Sequence, residues 1–526
     1  VSRRGLTASA ILAVFLAGAA PGARAADLTI GQAAPPTSVD PHFYNAAPNN
    51  GLAMHLFDRL TERMPDARLR PGLAQSWRLV DDTTWEFKLR PGVTFTDGQA
   101  LTPDDVAFSY ARVPNVPNSP GNFASMVRPI TRIEIMDAQT LRLHSAQPAP
   151  NMPGDLAAVA IVSRHVGEHA ATEDYNAGRA AIGTGPYKLV RYLPGDRVEL
   201  ARNEAWWGQK PDWDRVTIRI ISNPGARTAA LRAGDVDIID FPSPPDLAGL
   251  RADPALSIVS VTGARVIYLS PDFSHQGAWR DITDADGKPL ETNPLLDRRV
   301  REALSVAINR QAIAERIMLN TAIPTGQWLT PTMFGYAPDV KPPEYDPARA
   351  RKLLADAGYP QGFKLTLHTP NDRYPSDAQT AQAVAQMWTR IGVQTAVEAL
   401  PWSAYSVRSN HQEFSMGLLG WGSNTAEAGY TLINVLGTFD PALGRGSSNN
   451  GRYSNPTLDT LTAKALATTD DAAREAMERQ AVAMAMEDVG FIPLHQLVNS
   501  WATKKAIRYE PRVDERTLAM DAHPAR

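Results

Sequence analysis

The stretch FKLTLHTPNDRYPSDAQTAQAVAQMWTRIGVQTAVEALPWSAYSVRSNHQEFSMGLLGWGSNTAEAGY, residues 363–430, alternates strand and helix signals. Lys364–His368 alternates apolar and polar residues, the period of a strand with one buried face. The polar loop Thr369–Pro375 follows. Ser376 with Gln379 makes a capping box for a helix in which Ala381, Val384, Trp388 and Ile391 share a face. Gly392 stops that helix. A second strand is expected over Val393–Leu400, ending at Pro401-Trp402, and a short helix over Ser403–Asn410. The third strand, Phe414–Leu419, runs into Gly420-Trp421-Gly422-Ser423-Asn424. A β-α-β-α-β order implies three parallel strands with right-handed crossovers, hence an α/β fold. In such sheets ligands sit beyond the carboxyl ends of the strands. Arg373, Trp402 and the segment 421–424 each follow such an end. A guanidinium, two indoles and a carboxamide would converge there. That set suits a polar organic solute and holds no nucleophile–base pair.

The chain has 526 residues, enough for more than one lobe or domain. Its 53 basic and 56 acidic residues give no strong field, so neither nucleic acid nor an anionic membrane is expected as a partner. Residues 1–26 read as a signal peptide: a basic start at Ser2-Arg3-Arg4, a short apolar run from Leu6 to Ala20, and Ala23-Arg24-Ala25 before Ala26 as a cleavage site. The run is too short and too rich in Ala and Gly to span a bilayer. Ordinary secretion is expected over twin-arginine export, because the residues flanking Arg3-Arg4 fit the latter poorly. Its loss leaves 50 basic against 56 acidic residues. There is no cysteine, which excludes disulfides, thiolate metal sites, a cysteine nucleophile and a lipidated cysteine anchor. A protein free in the periplasm is expected.

Trp77 to Leu89 reads as a hairpin turning at Asp81-Asp82, and Ile133–Met136 with Thr140–His144 as another. Asn49–Arg63 and Asp297–Met318 read as helices, and Thr102-Pro103-Asp104-Asp105 as a helix start. Asp346-Pro347 through Gly358 carries an N-cap, a proline at the first helical position and a closing glycine. His165 and His169 stand one helical turn apart, yet Gly167 weakens a helix there, and a solvated surface is the expected reading rather than a metal site.

Six segments follow one another in order: LAQSW (73–77), DDTTWEFKLRPGVTFTDGQALTPDDVAFSY (81–110), GTGPY (183–187), RNEAWW (202–207), DRRVREALSVAINR (297–310) and YDPARARKLLADAGYP (345–360). Together they resemble the family 5 extracellular solute-binding proteins of ABC importers, over essentially the whole chain after residue 26. The resemblance implies a two-lobed periplasmic binding protein fold of type II-like form with an extra subdomain. It places lobe one at 27–268 plus 496–526, the inserted subdomain near 66–180, and lobe two at 269–495, with polar Ser270–Pro294 as the crossing out of lobe one. It implies hinge closure on a small polar solute, delivery to membrane permease subunits, no catalysis and no cofactor or metal. A monomer is expected. A secreted α/β hydrolase and a periplasmic chaperone or receptor are the alternatives from other classes.

In the dipeptide-binding members an arginine in the loop matching Arg373 takes the ligand's carboxylate, a bond the guanidinium fork makes bidentately. Those members carry an aspartate at the position of Asn424, which pairs with the peptide's ammonium. Asn424 supplies a dipole and no charge, so a simple peptide N-terminus does not fit. Glu427, three residues on, either replaces that charge or is a solvated loop acid. Trp402 and Trp421 are expected as pocket walls, the latter because Gly420 and Gly422 let a ligand approach closely. Tyr44, Asn45, Tyr374 and Tyr430 complete the candidate ligand-binding set.

Overall fold

The computed structural model describes residues 26–525 apart from Asn122, Ala278, Arg280 and Asn424. The expected signal peptide, save Ala26, and the candidate Asn424 lie outside the described residues.

The quoted stretch folds as β-α-β-α-β. Strand Phe363–Pro370 pairs in parallel with Val393–Leu400 on one side and with Met416–Gly422 on the other. Helices Asp377–Thr389 and Trp402–Asn410 make the crossovers. Ala381, Val384 and Trp388 are fully buried and Ile391 nearly so, which is why the helix seats on the sheet by the face its spacing marks. The Ser376 capping box does not form. Ser376 takes φ +54° and makes no cap bond, and the next residue does the work: the Asp377 carboxylate accepts the backbone N–H groups of Arg373 and Tyr374 at 3.1 and 3.0 Å.

These strands belong to a twelve-stranded sheet among the described residues. Its centre is an antiparallel pair of long strands, Leu256–Pro271 and Ile492–Lys504. Met416–Gly422 joins the Arg265–Pro271 half of that pair. Ile238–Asp240 joins the other half and leads through Asp27–Gln32 and Arg215–Ile220 to Arg197–Arg202 and Tyr187–Leu193. The chain therefore passes from one half of the sheet to the other inside a strand, where the register breaks between Thr262 and Val266, upstream of Ser270–Pro294. A strand keeps its backbone groups paired through such a crossing, which a polar loop would leave to water.

A separate antiparallel sheet runs Ala74–Asp81, Thr84–Leu89, Thr140–Ser145, Ile130–Ile135 and confirms both expected hairpins. Its core draws on Leu60, Leu73, Phe87, Val106, Leu141 and Leu143, distinct from the core around Ile30, Tyr187 and Trp501 and from that around Leu304, Trp388 and Leu418. Two expected helices are shorter. Asn49–Arg63 resolves into helix Ala47–Leu56 and strand Thr61–Arg63, because the Leu56 carbonyl takes the Gly185 N–H of the GTGPY turn and Phe57 is extended. Asp297–Met318 breaks after Arg298–Val306, where Asn309 caps a new turn by accepting the Ala312 N–H. His165 and His169 are exposed, and their helix, Arg164–Gly167, ends before His169.

Candidate functional site

A cavity of about 910 Å³ lies beyond the carboxyl ends of the three parallel strands. Arg373, Tyr374, Trp402, Trp421 and Tyr430 line it from that side, and Tyr44 and Asn45 from the opposite one. Seven of the nine candidates thus converge. Among the described residues no helix is long and apolar enough to cross a membrane.

The aromatic walls are held in place by their own bonds. Trp421 donates its indole N–H to Thr431 Oγ1 at 3.0 Å and stacks on Tyr430, with ring centres 5.2 Å apart and planes 22° off parallel. Trp402 stacks on buried Tyr405, and its backbone N–H is fixed by Asp372 at 2.7 Å. The Arg373 guanidinium lies 5.2 Å from the Tyr374 ring centre and 5.6 Å from that of Trp402, a cation–π placement that leaves its N–H fork exposed. Tyr374 donates to the Gly420 carbonyl at 3.3 Å, tying the Arg373 loop to the Trp421 strand end.

Five further residues that the sequence reading missed shape the electrostatics. Arg265 projects from the central strand and forms a bidentate pair with Glu515, with Nε to Oε2 at 2.9 Å. Burial acts to raise the Glu515 carboxyl, but Arg265, with help from Arg373, outweighs it and holds the group below its ordinary range. Burial likewise opposes ionisation of Asp514, and Arg512 and Arg516 overcome it, holding that carboxyl at about 2. Both acids are therefore ionised and already engaged. Arg265 carried a sequence signal, a lone charge in the run Ala264–Leu269; Glu515 carried none.

Glu427 does not reach the cavity. Ala426 at φ +55° and a backbone bridge from Glu427 to Phe334 turn its side chain toward Arg63 and Arg474. Burial pushes its carboxyl up, against the pull of those two cations. A second cavity of about 770 Å³, between Phe43, Phe108, Arg112 and Asn176, holds none of the candidate ligand residues. Its arginine is spent on Asp40 at 2.6 Å.

Comparison with known proteins agrees with this architecture. Residues 68–441 match the family described as bacterial extracellular solute-binding proteins, family 5 Middle. The chain is 27% identical over 473 residues to the dipeptide-binding protein of Escherichia coli strain K12, covering 85% of this chain and 84% of that one. It is 30% identical over 494 residues to the glutathione-binding protein GsiB of Pectobacterium atrosepticum, covering 91% and 90%. The periplasmic binding protein DppA of Helicobacter pylori, solved with the peptide STSA, superposes with a TM-score of 0.80 over 95% of this chain and 98% of that one at 23% identity, a likeness of fold. Nothing in these matches supports the hydrolase alternative. The chain belongs to the family 5 bacterial extracellular solute-binding proteins, the non-enzymatic, solute-capturing components of ABC importers.

Proposed function

We propose that this protein captures a small carboxylate-bearing organic solute in the 910 Å³ cavity, closes on it by a hinge motion, and presents it to the importer's permease subunits. The observation that carries this reading is Arg373. Its guanidinium fork stands at a strand end on the cavity wall, and among the described residues no carboxylate lies within ion-pair distance of it. The register break at Thr262–Val266 and its partner segment in Ile492–Lys504 supply the flexing point between lobe one (27–268 plus 496–526, subdomain about 66–180) and lobe two (269–495). The separate hydrophobic cores support that division. A signal peptide ending before Ala26 fits the first hydrogen bonds of the fold, where Ala26 N–H donates to Asp214 at 2.8 Å. A monomeric periplasmic protein completes this reading, and a sequence without cysteine offers no thiol for a lipid anchor.

Named ligands of relatives range from dipeptides and glutathione to haem. Asn424, in place of the acid expected for an ammonium partner, argues against a peptide with a free amino terminus. Arg373→Ala should weaken binding of the co-purified solute by ~3–5 kcal/mol, because a buried anion loses its partner. Asn424→Asp should weaken it too and admit short peptides. Titration calorimetry of the wild type and both variants, with the co-purified solute and a dipeptide panel, checks this. Tight wild-type binding of dipeptides with free amino termini would sink it.

A further inference from the structure

Among the described residues, the charged groups on the cavity wall are five arginines, 128, 265, 373, 445 and 516, against two acids, Asp514 and Glu515. Both acids are consumed. Asp514 pairs with Arg512 at 2.8 Å and Arg516 at 3.2 Å, and Glu515 pairs with Arg265. Arg445 leans on Asp440 and Asp459 at 3.5 and 3.8 Å, behind the wall. Arg373 and Arg128 face the cavity with no carboxylate partner among the described residues.

The two unpaired arginines mark two different ends. Arg373 shares the Tyr374 ring with Arg265, whose guanidinium is 5.9 Å from the ring centre. Arg128 comes from the turn before strand Ile130–Ile135 of the separate sheet and reaches across to the loop at Gly444 and Arg445. It fits because Gly444 has no side chain: a Cβ there would coincide with the Arg128 guanidinium. Gly444 also has φ +68°, a conformation glycine adopts without strain. Between these ends lie hydroxyl and amide groups such as Ser406, Ser409, Asn410, Ser448 and Asn450. Among the described residues no lining acid is left for an ammonium.

We infer that the solute bears at least two acidic groups and no free ammonium, one acid held by Arg373 and the second by Arg128 across the cavity. This rests on the solute-binding reading above and narrows it to a class: a dianionic, hydroxyl- or amide-rich molecule. Charge complementarity is the reason. Excess guanidinium groups on a closing wall repel one another and any cationic group, and two acids placed at the two ends neutralise them.

The test is chemical counting on the purified full-length protein. Molecules released by denaturation are weighed before and after methyl esterification, which counts acids, and before and after acetylation, which counts amines. If the preparation is empty, protein stripped in denaturant and refolded is offered a small-molecule extract of the host cells, and what it retains is weighed in the same way. The expected result is two or more acids and no primary amine. Calorimetry with that molecule should show Arg128→Gln and Arg373→Gln each weakening it at least tenfold, and its mono-esters binding wild type at least tenfold less tightly than the parent. Arg142→Gln, on the separate sheet and away from the cavity, should leave affinity unchanged. A captured solute with one acid or a free primary amine, or an Arg128→Gln variant that binds as wild type does, overturns the inference while leaving solute binding intact. Capture of nothing under either condition removes the solute-binding reading, and this inference falls with it.

Discussion

A methyl group added at Gly420 would lie 2.7 Å from the Tyr374 ring and 2.9 Å from the Ile267 side chain. Ile267 is buried in the sheet core and cannot retreat, so the strain falls on Tyr374, which is bonded back to the Gly420 carbonyl and borders the cavity. Gly420→Ala should therefore push the Tyr374 ring toward the cavity and shift the Arg373 guanidinium that rests on it. Overpacking of this kind costs about 1–3 kcal/mol. Urea denaturation should show that loss, and calorimetry a severalfold weaker solute; a variant matching wild type in both would mean that the ring gives way freely. At this scale the sequence was legible where a residue stands at the end of a strand whose period is clear, as for Arg373, Trp402 and Trp421. It was not legible for Glu427, where a single left-handed residue, Ala426, decides which way the carboxylate points. Nor was it for Glu515, which reaches Arg265 across 250 residues of chain.

The helix Asp377–Thr389 carries the Arg373 loop at its start and is anchored near its end by Trp388. That indole is fully buried and donates to the Leu304 carbonyl at 2.9 Å, in helix Arg298–Val306. Trp388→Ala should destabilise the protein by ~3–5 kcal/mol, the usual cost of emptying a large aromatic site. Trp388→Phe should keep most of the packing and lose the hydrogen bond, at a net cost of about 1 kcal/mol from that bond. Urea midpoints read both, and equal midpoints for the two variants would show that packing is not what holds the helix. The face of this helix was legible because its apolar residues repeat with the helical period. Asp297–Met318 was misread for the opposite reason. Its apolar period continues through the break, but Arg310 is buried and gives its guanidinium to the Pro493 and Ser305 carbonyls, so the turn at Asn309 is set by a partner far along the chain. The order of the sheet was hidden in the same way: Val266 pairs with Gln496, and no local pattern encodes such a pairing.

At the scale of the whole molecule, three carboxyl groups meet where the separate-sheet unit packs on helix Asp471–Glu487. Asp155 comes from helix Met152–Leu156, Glu427 from the residue before Ala428–Thr431, and Glu478 from the long helix itself. Arg63 and Arg474 are the cations facing them, with Asp471 and Glu475 as further acids. Pairing is incomplete. Arg63 Nε, Arg474 Nε, Asn151 Oδ1, Glu427 Oε2 and both Glu478 carboxylate oxygens are buried without a hydrogen bond. A carboxylate so placed favours its protonated form. Burial, reinforced by Glu427, pushes Asp155 and Glu478 each up to about 8, with Arg63 and Arg474 respectively opposing. Ordinary values are 3.8 and 4.5, so between about pH 4 and 8 the native chain holds more protons here than the unfolded chain does. Their contribution to stability therefore falls as pH rises through that window. Buried His42, His55 and His495 act in the other direction. Burial holds each at about 4 against an ordinary 6.5, so their contribution rises with pH between those values and is complete above them. From about pH 6.5 to 8 the carboxyls act without that opposition. Glu478→Gln copies the protonated acid in shape and cannot ionise. It should match wild type in urea midpoint near pH 4 and exceed it increasingly up to about pH 8, by roughly 1.4 kcal/mol for each unit that the native pKa stands above the unfolded one. Two midpoint curves running parallel across that range would mean that Glu478 finds a cationic partner in solution and that the cluster stores no proton.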